Sequence, residues 1–531
     1  MNWRSMARTL VFSLALIALP FSARGAADGW ESVGPGIDYQ EFHLSNPINN
    51  VYVARMDRNN PATTIESGIG NGKLYYGLET VSGIANRYNE AISYWGGEWG
   101  ARNRVVVAIN GDFFPKDLYN SPPGPTGGQV QSGWYAKHYQ DNAYGGGGAA
   151  FVWTLDREPF ISQCSVSLTG LSSSVFYSGD VVNQSIDDIN SLRGTDELVL
   201  YTPQYANTTN TDNTGYEVLV QMSRPTSLTS NGFVNTAGIT GTVVAKYDQQ
   251  GTNLIPFGHV VLSASGTHVD KLRNRTEVGQ VITITQGIMS KIQPCVPPSV
   301  QLPWERAYAS VGGSFPFLVN GTIQYFTTNA GATNPAPRTA IVYNDNYIYF
   351  IVVDGRHPGV SEGMTIAQLA AFAKGTLGAA WGVAEDGGGS STMVVNGVVK
   401  NDSYCNQWGN SDGCTFDPTK PNERPVANGM MMTVVEPKEQ STAHQPGEGW
   451  GVGAGSTLYL GPGTNYGPVL TFQSDTKGEL IDNNLNGVRA KGFYWWKAQF
   501  GSATGWVNET ISLPYSVSLP LISQRKSILS P

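Results

Sequence analysis

The segment Ala384-Glu385-Asp386-Gly387-Gly388-Gly389-Ser390-Ser391-Thr392 sets two carboxylates against three glycines and a run of hydroxyls, with apolar Met393 to Val395 behind. A glycine triplet accepts positive φ and lets a ligand approach backbone N–H groups without interference from a Cβ. Asp386 at the lip of such a loop can act as a base, a nucleophile or an acceptor for a sugar hydroxyl. The plainer alternative is an Asx-type turn closed by the same residue. Arg338, Asp354, Arg356 and Arg424 also fall at the ends of predicted strands or just after turns. One sheet edge would then gather three guanidiniums and two carboxylates. Guanidiniums bind phosphate through paired donors and carboxylates handle glycosidic bonds, so the mixture favours a ligand carrying both sugar and phosphate. A structural ion-pair network is the competing reading.

These residues need elements to hold them. "RNRVVVAINGDFFP" reads as a buried strand over Val105 to Ile109, stopped at Asn110-Gly111 and exposing Asp112. "ETVSGIANRYNEA" has Val81, Ile84, Ala85 and Tyr88 at helical spacing behind Thr80 as N-cap, a surface helix on a sheet. "SFPFLVNGTIQYF" and "RTAIVYNDNYIYFIVVDGR" are hairpin signals, the first turning at Asn320-Gly321, the second at Asn344-Asp345-Asn346 and delivering Asp354 and Arg356. A helix follows from Thr365, with Ile366, Leu369, Ala370, Ala373 and Leu377 on one face. A short strand, the glycine loop and a hairpin through Asn396-Gly397 come next. Residues 116–300 form a β-rich insertion of short alternating runs.

Composition agrees with a β-rich chain. Among 531 residues there are 63 glycines, 13 Trp, 25 Tyr and 19 Phe, and charged residues make up only 14%, which favours short strands and tight turns over long salt-bridged helices. Arg4 and Arg8 before the apolar run Leu10 to Phe21, then small residues near 23–27, describe a secretory signal over 1–25. An uncleaved anchor is the weaker reading because the run is short for a bilayer span. Losing Arg4, Arg8 and Arg24 takes the formal charge from −8 to −11, which argues against nucleic-acid partners. A secreted or envelope location suits two disulfides from the four cysteines, Cys405 with Cys414 and Cys164 with Cys295. Zinc is poorly supported, since CxxC, HxH and HExxH spacings are all missing. No cofactor is required, while a divalent cation steadying the acidic loop stays open. His357, inside "DGRHPG", reads as a turn residue.

After the strand "GMMMTVVE", residues 437–447 are polar and proline-marked, a linker to a second, all-β domain at 448–514 and a tail at 515–531. "TLYLGPGTNYGPVLTF" and "FYWWKAQFGSATGWVNETI" resemble the bacterial SH3-like domain, though Leu460-Gly461 stands where that family usually has arginine-serine. Such a unit could dock on cell-wall glycan, or Trp495, Trp496 and Trp506 could simply fill a small barrel.

The motifs "INGDFF" (109–114), "VGGSFPFLVNG" (311–321), "PRTAIVY" (337–343), "VDGRHPGVSEGMTIAQLA" (353–370), "AEDGGGSSTMVVNGVVKN" (384–401) and "ERPVANGMM" (423–431) resemble, in order, those of the phosphodiester glycosidases. Two departures add acids: the family commonly has glycine where Asp112 stands and leucine where Glu385 stands. The resemblance implies a phosphodiester glycosidase-like domain over 26–436, of α+β class with a mixed sheet, packing helices and the β-rich insertion. It also implies hydrolysis of a sugar C1–O bond in a sugar-1-phosphodiester of the N-acetylglucosamine-1-phosphate type, on envelope or extracellular glycan. On that reading Asp386 is base or nucleophile and Asp354 its partner or an anchor for a sugar hydroxyl. Arg338, Arg356 and Arg424 hold phosphate, while Asn110, Asp112, Glu385, Gly387, Gly388, Gly389 and Ser390 line the sugar. A non-catalytic envelope-binding protein is the alternative, and a phosphodiesterase breaking P–O is disfavoured for want of metal-binding histidines.

Overall fold

The computed structural model describes residues 29–115, 124–139, 149–163, 165–168, 173–177, 183–226, 229–230, 238–290, 302–404 and 423–513. The signal segment, the tail and all four cysteines with their expected pairing lie outside these residues. Strand accounts for 47% of the chain and helix for 11%, so the fold is mostly β, with several sheets and few helices, rather than an even α+β mixture.

Local sequence explains the hairpins. Asn320 and Gly321 take φ of 47° and 72°, and Asn396 and Gly397 take 48° and 78°, the left-handed pair that a two-residue hairpin demands. At the third turn the Asn344 Oδ1 accepts from the N–H groups of Asn346 and Tyr347 at 3.0 and 2.9 Å. The helix Ile366–Leu377 begins at a full capping box between Thr365 and Gln368 and ends on Gly378 at φ 63°. Helix Val81–Tyr88 starts at Thr80, whose side chain accepts from Gly83 N–H.

Two sheets position the site. The first has eight strands and runs through Ile37–Ser45, Ile48–Asp57, Tyr347–Val353, Arg338–Tyr343, Trp381–Ala384 and Phe315–Val319 in spatial order. The second has Val398–Val399, Met393–Val395, Glu98–Asn110, Asn428–Glu436 and Thr63–Ile69, with Ile92–Trp95 on its long strand. Ile341, Phe350 and Val352 of the first sheet meet Val107, Ile109, Met393 and Met430 of the second in one core, closed by Phe151, Trp153 and Tyr308 of a five-stranded third sheet. The other face of the first sheet, through Val51, Val342 and Ile351, takes Ile366, Leu369, Ala370, Ala373 and Leu377 of the long helix. Each large aliphatic side chain buried there contributes roughly 1.5–3 kcal/mol.

The β-rich stretch is not one separate body. Strands Gln129–Gln131 and Ala149–Thr154 flank Ala307–Gly313 in the third sheet, so its beginning is woven into the core, because that strand would otherwise leave both edges open. Apart from Thr229–Ser230, the strands from Ser174–Tyr177 to Val281–Thr285 then build an eight-stranded fourth sheet that packs on the third through Val218, Leu262, Trp134 and Val152. Residues 449–513 add a further sheet around Trp450, Leu458, Trp496 and Val507. Trp495, Trp496 and Trp506 are only 0%, 2% and 3% exposed, so none of the three offers a docking face. Among the described residues no helix is long and apolar enough to cross a membrane.

Candidate active site

The strand registers bring the chemistry to one end of the two facing sheets. Arg338 pairs with Val353, Ala340 with Ala384, Met393 with Ile109, and Asn110 with Gly429. Every candidate residue therefore leaves its strand at the same end. The sheets are stitched there by Asp386 N–H to the Gly111 carbonyl at 2.9 Å and by Asn110 Nδ2 to the Asp386 carbonyl at 2.7 Å.

Asp386 is half-buried, and its Oδ2 accepts from Ser390 Oγ at 2.6 Å. Arg424 Nη1 donates to the same hydroxyl at 3.2 Å, so the carboxylate, the hydroxyl and the guanidinium form a short relay across the loop. Arg356, at φ 60°, is exposed and lies over the Tyr404 ring at 5.0 Å. A Cβ built on Gly388 would stand 3.4 Å from Arg356 Nη1, which fixes this guanidinium beside the loop. Arg338 is held by the carbonyls of Met364 and Asn334, both at 2.7 Å. Burial first, and then the positive Arg356, lower its pKa to about 10. Three cations thus converge on the glycine loop.

The glycines serve packing more than open access. A Cβ on Gly387 would lie 2.7 Å from the Pro337 carbonyl oxygen, and one on Gly389 would lie 2.5 Å from Arg424 Nη2. Gly388 has φ 64°. The N–H groups of Gly388, Ser390 and Ser391 already donate to Pro337, Gly387 and Gly388 carbonyls.

Four expected ligand residues turn inward. Asn110 is fully buried, and besides holding the Asp386 carbonyl it accepts from Thr339 Oγ1 at 2.7 Å and Thr392 N–H at 3.2 Å. It fastens the loop from beneath. Asp112 is 1% exposed; its carboxylate takes the N–H groups of Phe113 and Gly127 and lies against the Cα of Gly312. Burial pushes its pKa up to about 7, opposed by those amides and by Lys137. Glu385 follows the strand's alternation into the interior and is 3% exposed, with no hydrogen-bond partner for either carboxyl oxygen among the described residues. Burial, then the negative Asp112 and Asp386, hold its pKa well above the usual range. Asp354 is 2% exposed and accepts from Tyr52 at 2.9 Å, Asn401 at 3.1 Å and the Asp402 N–H at 3.1 Å. Three of its roughly four acceptor positions are thus filled from within the protein. Burial raises its pKa to about 6 despite these bonds.

Asn401 is the residue that motif reading passed over. It donates to Asp354 and to the Ser391 carbonyl at 2.9 Å, and accepts from Met393 N–H at 2.8 Å. Asp354 therefore reaches the glycine loop through Asn401; the hairpin turn at Asn396-Gly397, which returns Asn401 beside Met393, was the available signal. His357 is 2% exposed and 3.6 Å from Asp402, so it is a buried turn residue rather than a solvent one. Among the described residues no group of three His, Cys, Asp or Glu side chains is arranged to hold a metal ion.

The end of the two sheets thus presents the half-buried carboxylate of Asp386 on a loop flanked by Arg424 and Arg356. Residues 233–433 match the family model described as phosphodiester glycosidase, and the resemblance carried by the motifs holds over that part of the chain. No curated protein matches. Among solved structures, a hypothetical protein from Synechocystis is 16% identical, with 75% of this chain and 62% of that one covered at a TM-score of 0.47. This chain thus spans less than two thirds of that protein's length. A protein from Burkholderia pseudomallei is 18% identical over 72% of this chain and 74% of that one, at a TM-score of 0.46. The catalytic domain of zebrafish N-acetylglucosamine-1-phosphodiester alpha-N-acetylglucosaminidase, auto-inhibited by its pro-peptide, is 12% identical over 76% and 85%, at a TM-score of 0.36.

Proposed function

We propose that the protein is a glycosidase acting on sugar-1-phosphodiesters, freeing the sugar and leaving a phosphomonoester. The family match over residues 233–433 supports a hydrolase of this kind. The observation that carries the reading is Asp386, half-buried and bonded to Ser390, with Arg424 on that same hydroxyl and Arg356 beside the next glycine. Phosphate bound between Arg356, Arg338 and Arg424 would set the sugar's C1 over Asp386.

In the overall reaction the C1–O bond breaks and its electron pair stays on the phosphate oxygen. Water supplies the new oxygen on C1, and its proton passes by way of Asp386 to solvent or to the phosphomonoester. A phosphate leaving group, with a second pKa of roughly 6, needs little help from an acid. Guanidiniums that stabilise its growing charge are the larger contribution. Asp354 and Asn110 act as positioning residues, the first through Asn401 and the second from beneath the loop. Glu385 and Asp112 stand in the interior behind Asp386, where burial disfavours their charged forms.

The N-acetylglucosamine-1-phosphate type of substrate, export through the 1–25 signal, an envelope glycan as partner and an SH3-like 448–514 unit belong to the same proposal. The test is turnover of a methyl diester of α-N-acetylglucosamine-1-phosphate by the full chain and by Asp386→Asn, with both products followed by mass spectrometry. The proposal expects free sugar and methyl phosphate, with the rate reduced at least about 10²-fold in the variant. Retained affinity without turnover in the parent protein would mean an envelope-binding protein instead.

A further inference from the structure

Away from the acidic loop, a cavity of about 350 Å³ lies where three parts of the chain meet. Its wall includes Trp99 and Asn103 from the long strand Glu98–Asn110, Gln204 and Phe257 from the fourth-sheet region, and Tyr466 from the C-terminal unit. The three rings touch in series, Trp99 to Phe257 at 4.7 Å and Phe257 to Tyr466 at 5.4 Å, one from each part. Asn103 and Gln204 are 2% and 8% exposed. Their side-chain oxygens have no hydrogen-bond partner among the described residues. A buried amide oxygen left alone is costly, and a native fold keeps one where a ligand or water completes it.

These groups have no part in the reaction proposed above, and they form a set of their own. Aromatic rings present apolar faces to the C–H side of a pyranose, and amides exchange hydrogen bonds with its hydroxyls. An acyl chain would leave the two oxygens unpaired. The volume sits near the lower end of the roughly 300–1,000 Å³ usual for small-molecule clefts, which limits the occupant to a short saccharide. We infer that this cavity, bounded by Asn103, Gln204 and the Trp99-Phe257-Tyr466 rings, is a second saccharide-binding site, distinct from the acidic loop and dependent on the C-terminal unit for one wall.

The site is independent of whether the acidic loop turns over a phosphodiester. The test is calorimetric titration of the full chain with N-acetylglucosamine, N,N′-diacetylchitobiose and maltose, repeated on Gln204→Leu, Asn103→Leu and Asp386→Asn. Gln204→Leu removes the acceptor while keeping the bond from Leu74 N–H to the residue 204 carbonyl, 2.8 Å in the parent fold. Should it not fold, Asn103→Leu asks the same question from the opposite wall. The expected result is saturable binding of at least one sugar, weakened tenfold or more by either leucine variant and unchanged by Asp386→Asn. Absence of binding by all three sugars overturns the inference. So does binding that survives both leucine variants, or that disappears with Asp386→Asn.

Discussion

At the residue scale, the site sets one half-buried carboxylate apart from three that are kept inside. Asp386 reaches solvent, whereas Asp112, Asp354 and Glu385 are 1%, 2% and 3% exposed. Asp354 is matched by donors, but Glu385 is matched by none among the described residues, which makes it a cost to the fold. Its folded pKa is raised, so the folded state holds this proton more tightly than the unfolded one. Stability is then lost as pH rises from the unfolded value of roughly 4.3 through the folded one. Glu385→Leu should therefore stabilise the protein by about 1–3 kcal/mol at pH 8 and by little below pH 4, read as melting temperature at each pH. An equal gain at both would mean that the folded state does not hold this proton more tightly than the unfolded one. Asn401→Leu tests the support network. Removing the amide strands Met393 N–H and one Asp354 oxygen, and should cost about 2–4 kcal/mol in urea unfolding.

At the element scale, the glycine loop works because backbone and side chains approach where a Cβ would stand. Gly387→Ala puts a methyl group 2.7 Å from the Pro337 oxygen, and Gly389→Ala presses on Arg424. Each should cost about 1–3 kcal/mol. Gly389→Ala should also raise KM more than it lowers kcat if Arg424 binds phosphate, a split that steady-state kinetics resolves. The hairpins, the helix start at Thr365 and the strand ends around the loop were legible in the sequence, because turn residues and caps act within a few positions. The support of Asp354 was not, since Tyr52 lies 302 residues away and no local pattern couples them. The inward turn of Glu385 was missed for another reason. Strand alternation carries it to the core side, but a charged residue reads as exposed, so polarity outweighed periodicity.

At the scale of the whole molecule, the C-terminal unit is bound into the rest of the protein. Ile92 packs with Leu485, Val488, Trp495 and Trp506 in a shared cluster. Lys491 Nζ donates to the carbonyls of Asn86 and Asn89 at 2.8 and 2.7 Å, a cation at the end of helix Val81–Tyr88. Within the segment read as a linker, Glu439 joins Arg102 of the second sheet to Arg489 and Tyr494 of the C-terminal unit. Ending the chain at residue 447 should therefore lower the melting temperature by several degrees and leave an exposed apolar patch around Ile92. An unchanged melt would mean that the two parts are energetically independent.

The central claim is that the sugar C1–O bond is the one that breaks. Hydrolysis of the methyl diester of α-N-acetylglucosamine-1-phosphate in ¹⁸O-enriched water tests it most directly. Glycosidic cleavage guided by Asp386 and the three arginines predicts label in the freed sugar and none in the methyl phosphate. Label in the phosphate product would mean attack at phosphorus and would contradict the account.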